Sequence, residues 1–70
     1  RQEDVAAWLT SVGFAEHVSL FTENDVVGEE LLELGMSDLA KLGVRGILVR
    51  KQLFCKIQLL AEQSEEAFQP

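Results

Sequence analysis

From Ile47 to Glu66 the chain carries its apolar residues at helical spacing, and Gly46 stands immediately before this run. The spacing predicts one long helix. At about 100° per residue, Ile47, Arg50, Leu53, Phe54, Ile57, Leu60 and Ala61 fall on one broad face, with Arg50 at its edge and its stem buried. A helix gains most of its stability by packing such a face against something else. The residues before Gly46 must therefore supply the packing surface. Leu48, Cys55 and Leu59 fall roughly opposite Leu53 and Ile57, a second apolar stripe. A 70-residue chain has little material left to cover it. With Val49, this stripe predicts an exposed apolar patch beside the basic residues of the same helix.

The remaining sequence reads as short helices divided by turn residues. Asp4 is placed to cap a first helix and Gly13 to stop it, with Val5, Trp8, Leu9 and Val12 as its apolar stripe. Phe14, Val18 and Phe21 share one face of a second helix, which Asn24-Asp25 breaks, and Gly28 marks a further turn. Residues 29–34 read as a third helix whose acids lie where the helix dipole favours them. Ser37-Asp38 opens a fourth that runs through Leu42 and closes at Gly43. Strand alternation and internal repeats are absent from the sequence. The expectation is an all-α fold, a compact five-helix bundle with a long C-terminal helix. One domain is expected over residues 1–66, with a frayed tail at 67–70. Trp8, Leu9, Phe21, Leu31, Leu39, Leu42, Leu53, Phe54 and Ile57 are expected to be buried together, with Phe14 and Met36 also in the core.

Hydrophobic residues make up 47% of the chain and charged residues 26%, the balance of a folded domain. So short a chain has little spare material for a deep substrate cleft, which favours a binding module over an enzyme. No apolar run approaches the roughly 18 residues of a membrane span. Arg1-Gln2-Glu3-Asp4 does not read as a secretory signal, and a chain without an initiating Met reads as part of a longer protein. A lone cysteine, Cys55, cannot form an internal disulfide, which predicts a reducing, intracellular and cytoplasmic setting.

Net charge is −6, but the charge is segregated. Residues 1–40 hold nine acids and one base, Arg1. Residues 41–56 hold Lys41, Arg45, Arg50, Lys51 and Lys56 and no acid. Such a bipolar chain can complement a copy of itself or of a relative head to tail. Nucleic acid is disfavoured as a partner, because the chain is acidic overall and no exposed aromatic is expected among the bases. A membrane surface is disfavoured similarly.

No catalytic residue, cofactor site or metal site is predicted. His17 is the only histidine, and no Ser/His/Asp or Cys/His spacing accompanies it. Asp25, Glu29, Glu30 and Glu33 lack the spacing of a calcium loop and read as a solvated face or a partner surface. Gly43 and Gly46 punctuate helices and do not form a phosphate-binding loop.

Several stretches, in order, resemble the sterile alpha motif (SAM) family. They are Val5-Ala6-Ala7-Trp8-Leu9, Gly13-Phe14, Phe21, and Asp25 through Leu34. Ser37-Asp38-Leu39-Ala40-Lys41-Leu42-Gly43-Val44 follows, then the basic amphipathic run from Arg50 to Leu60. The likeness spans residues 4–61. Leu48-Val49 stand where many members carry Gly-His, and His17 where many carry Tyr. The chain has no Tyr at all, so a tyrosine-phosphorylation role is excluded within it.

The resemblance implies a five-helix bundle that associates with other SAM domains, of its own kind or another. An acidic mid-loop surface of one copy would meet the end-helix surface of the next. Asp25, Glu29, Glu30, Glu33 and Asp38 correspond to the mid-loop surface, and Ile47, Leu48, Val49, Arg50 and Lys51 to the end-helix surface. A homo-oligomer or polymer is then expected. The alternative is an RNA- or lipid-binding module that uses the basic last helix.

Overall fold

The computed structural model describes residues 2–68, with side chains described from Glu3 to Gln63. Helix α1 spans Gln2–Ser11, and a 3-10 turn at Ala15–His17 leads into α2, Val18–Glu23. Two short helices follow, α3 (Gly28–Leu31) and α4 (Met36–Leu42), and the long α5 covers Ile47–Phe68. No strand occurs among the described residues, so the expected all-α architecture is found.

Three of the short helices end in one way, and that ending builds much of the core. Gly13, Asp25 and Gly43 have positive φ of 91°, 55° and 110°. The N–H of the next residue reaches back five positions: Phe14 to Leu9 O at 2.8 Å, Val26 to Phe21 O at 3.0 Å, and Val44 to Leu39 O at 3.0 Å. The left-handed residue itself donates three positions back, Gly13 to Thr10 O, Asp25 to Thr22 O and Gly43 to Ala40 O. Together these bonds form the Schellman ending, which satisfies otherwise orphaned helix carbonyls and brings two apolar residues together across the turn. All three such pairs, Leu9 with Phe14, Phe21 with Val26 and Leu39 with Val44, are buried. They supply six of the ten core residues, so the core is built from helix ends as much as from helix faces.

The other four core residues are Val5, Leu31, Leu53 and Ile57. Leu53 and Ile57 are one turn apart on α5 and are 0% and 1% exposed, so α5 enters the core along one stripe. Trp8, Leu42, Phe54, Val49 and Leu60 pack against the cluster while half-buried. No polar or charged residue is buried as a whole among the described residues, and the buried polar atom left without a partner is His17 Nδ1.

Several expectations change. Asp4 is not the N-cap position of α1. The helix already runs from Gln2, and Glu3 and Asp4 lie in its first turn, where the dipole still favours acids. Gly28 is the first residue of α3 rather than a turn, and α3 stops at Leu31 rather than 34. Two turn bonds, Glu33 N–H to Glu30 O and Leu34 N–H to Leu31 O, end it early, and Gly35 is extended at the start of α4. Phe14 is buried in the preceding corner instead of lying on α2.

Trp8, Leu42 and Phe54 flank the core rather than filling it, and Met36 is half-buried at the head of α4. Ile47, the first residue of α5, leaves the buried face and is 58% exposed. Backbone helix continues to Phe68, and the rest of the expected tail, Gln69 and Pro70, lies outside the described residues.

Candidate protein-interaction surface

The turn between α4 and α5 determines what the start of the last helix presents. Gly43 closes α4 in a left-handed conformation, and Val44, 1% exposed, anchors the chain in the core. Gly46, with φ of 89°, then redirects it into α5. Arg50 sits one helical turn later. Its backbone N–H donates to Gly46 O at 3.0 Å, and its Nη1 donates to Val44 O at 2.8 Å. One residue therefore binds the turn twice, through main chain and side chain.

This geometry leaves Leu48 69% exposed and Ile47 58% exposed. Arg45 and Lys51 are exposed close by in sequence. Of the five residues predicted for this half, Ile47, Leu48 and Lys51 face outward, whereas Val49 packs on the core and Arg50 is half-buried on the Val44 carbonyl. Arg45, outside the five expected residues, is exposed beside them in the chain. Its signal in the sequence was its place in the basic run, three residues before Leu48. Of the second stripe, Leu48, Cys55 and Leu59 are exposed, Leu59 at 49%, whereas Val49, expected beside them in the patch, packs on the core.

The acidic residues come from the segments around α3 and α4, and several of them also hold the backbone. Asp25 occupies the left-handed turn after α2. Glu30 Oε1 accepts the Val27 N–H at 3.4 Å, and Asp38 Oδ2 accepts the Gly35 N–H at 2.9 Å. Each carboxylate reaches back to the residue that opens its own helix, one half of a capping box. Glu29 and Glu33 are exposed, as are the other three. Asp38 is thus partly committed to the start of α4, while Glu29 and Glu33 are the acids best placed for an external cation.

A groove of about 520 Å³ lies between the Gly13–His17 corner and the side of α5 that carries Val49, Gln52 and Lys56. Nothing in the sequence reading pointed to it. His17 lines it, with its ring 5.7 Å from that of Phe14 and its Nδ1 buried without a hydrogen-bond partner. One glutamate, one histidine and one lysine of mixed charge line the groove, which is not a ligand set for a metal. Among the described residues no group of three or more His, Cys, Asp or Glu could hold a metal ion. Likewise no described helix is long and apolar enough to cross a membrane.

Residues 1–61 match the family described as SAM domain (sterile alpha motif). The chain is 40% identical over 65 residues to mouse diacylglycerol kinase delta, covering 93% of this chain and 5% of the kinase. It is 39% identical over 59 residues to diacylglycerol kinase eta of Drosophila melanogaster, covering 84% of this chain and 3% of that protein. The protein of the same name in Drosophila ananassae is 37% identical over 59 residues, with the same coverage of 84% and 3%. No solved structure gave a significant match. With the family pattern spanning the bundle from α1 into α5, and with the fold found as that family implies, this chain belongs to the sterile alpha motif family.

Proposed function

We propose that this chain is a non-catalytic module that joins SAM domains head to tail, with itself or with a relative, and so scaffolds or oligomerises a larger protein. The observation that carries the reading is the pair Ile47 and Leu48, exposed at the start of α5 and flanked by Arg45 and Lys51. An apolar centre with a charged rim is the usual composition of an interface. The apolar pair supplies desolvation. The cations set orientation and speed the encounter with an acidic partner surface. The acids of residues 25–38, chiefly Glu29 and Glu33, supply such a surface on the same chain. Two different patches on one chain make a heterologous contact, which continues to a ring or a filament unless it is capped.

The chain spans only a small fraction of the kinases it resembles. On this reading it belongs to a larger protein of that kind and contributes assembly, while phosphoryl transfer is carried out elsewhere in the parent. An exposed free thiol at Cys55 fits a reducing cytoplasm.

The reading is tested by mixing two variants. Lys51→Glu disables the end-helix face, and Glu29→Lys disables the acidic face without removing the Glu30 contact to Val27. Each alone should lose higher assembly by light scattering, and an equimolar mixture should stop at a dimer joined through the two intact faces. Assembly that survives both substitutions would refute the head-to-tail contact. Binding of a hairpin RNA or an anionic vesicle, lost on Lys51→Glu and falling steeply with salt, would favour the alternative module.

A further inference from the structure

Arg50 stands among the cations of the proposed end-helix face, yet its guanidinium is half-buried and bonded inward, 2.8 Å from Val44 O. That carbonyl lies between two helices, past the end of α4 and before the start of α5. It has no place in either helical ladder, and Arg50 supplies its donor. The same residue's N–H closes the first main-chain bond of α5 at Gly46 O. Val44 is fixed in the core, so the side-chain bond ties the free end of the turn to an immobile point. Gly46 has positive φ, and an added Cβ would meet Val49 alone, in ordinary contact with its Cγ2 at 3.6 Å. The segment has no other side-chain brace among the described hydrogen bonds, and Ile47 and Leu48 project directly from it.

We propose that Arg50 is a positioning residue: it does not meet the partner but holds the 44–48 segment so that Ile47 and Leu48 are presented in one orientation. This rests on the end-helix reading above. A flexible turn would pay an ordering cost on each association, and a braced one pays it during folding. Two of the cations on this face, Lys51 and Arg50, then have separable duties. Lys51 is exposed and acts through long-range charge, which salt screens. Arg50 acts through a short, sheltered hydrogen bond, which salt screens little.

The test compares Arg50→Met, which keeps the long stem and removes the donors, with Lys51→Met, Arg50→Lys and Leu48→Glu. Two quantities are read: hydrogen exchange of the Val44 and Arg50 amides, the hydrogen-bonded ones at the two ends of the turn, in unassociated chain, and the association constant across a salt series. Arg50→Met should speed exchange at those amides and weaken association about 2- to 30-fold, the range for residues that act on a site without touching its ligand. Its salt dependence should fall less than that of Lys51→Met, because the Arg50 charge is half-buried and turned inward whereas that of Lys51 is exposed. Arg50→Lys keeps the charge, so its affinity should follow its exchange protection.

The inference is overturned if Arg50→Met leaves exchange unchanged, if it speeds exchange without weakening association, or if it flattens the salt dependence as Lys51→Met does. Full affinity in Arg50→Lys with fast exchange would make the residue a contact charge and would also overturn it. Should Leu48→Glu leave association intact, the end-helix reading itself fails and the proposal falls with it, whatever the exchange data show.

Discussion

Replacing Gly43 with alanine tests how α4 is closed. The residue has φ of 110°, outside the narrow left-handed well near +57° that side-chain-bearing residues tolerate. Holding an L-residue in left-handed territory costs roughly 1–2 kcal/mol. A φ so far beyond the well places Gly43 near the top of that range, and the stiffer unfolded chain of the alanine variant offsets about 0.4–1 kcal/mol. An added Cβ would also sit 3.4 Å from Leu20 Cδ2, close enough to make that side chain yield slightly. The expected net loss is about 1–2 kcal/mol. In a domain of this size it corresponds to a fall in Tm of about 4–16 °C.

Gly13 isolates the backbone part of the argument. Its φ is 91° and an added Cβ would meet nothing within 4 Å. Gly13→Ala should therefore cost less than Gly43→Ala, about 1 kcal/mol. Gly13→Asn should cost less again, because asparagine enters the left-handed region more readily than alanine. Thermal melts followed by circular dichroism, with denaturant titrations for ΔG, give all three differences from wild type. If Gly43→Ala melts with wild type, or Gly13→Asn is as damaging as Gly13→Ala, the left-handed closures are not what holds these corners.

Leu53→Ala removes a fully buried side chain from the stripe where α5 enters the core, and urea unfolding should show a loss of about 2–5 kcal/mol. Asp38→Ala deletes the carboxylate that accepts the Gly35 N–H at 2.9 Å and should cost about 1 kcal/mol by the same assay, with little change elsewhere. Leu48→Glu should leave stability within about 0.5 kcal/mol of wild type, since the side chain is 69% exposed, while association is lost. A large stability loss in that variant would mean that Leu48 packs within its own chain.

The helices and their order are legible because a buried stripe imposes a period that can be read without knowing its partner. Depth is less legible. Trp8, Phe54 and Leu42 lie on the correct faces but flank the cluster, since periodicity gives direction and not distance from the centre. Val26 and Val44 escape a helix-by-helix reading because they lie outside every helix, each just past a left-handed residue. Gly43 and the Asn24-Asp25 pair mark those stops in the sequence. That the residue after a stop returns to the core follows from the hydrogen-bond pattern of the ending. At the candidate surface, the exposure of Leu48 follows from its place opposite Leu53. The inward turn of Arg50 does not, because its partner Val44 lies six residues away across a turn whose path only the fold determines.

On the proposed function, Leu48 and its neighbours join one chain to the next. Light scattering across a concentration series, on the wild-type chain and on Leu48→Glu, tests it most directly. The mass of the wild-type chain, alone or with its SAM partner, should rise with concentration. The Leu48→Glu variant should stay at the mass of a folded monomer and keep a native helical spectrum. Equal masses for the two at every concentration, with and without a partner, would contradict it.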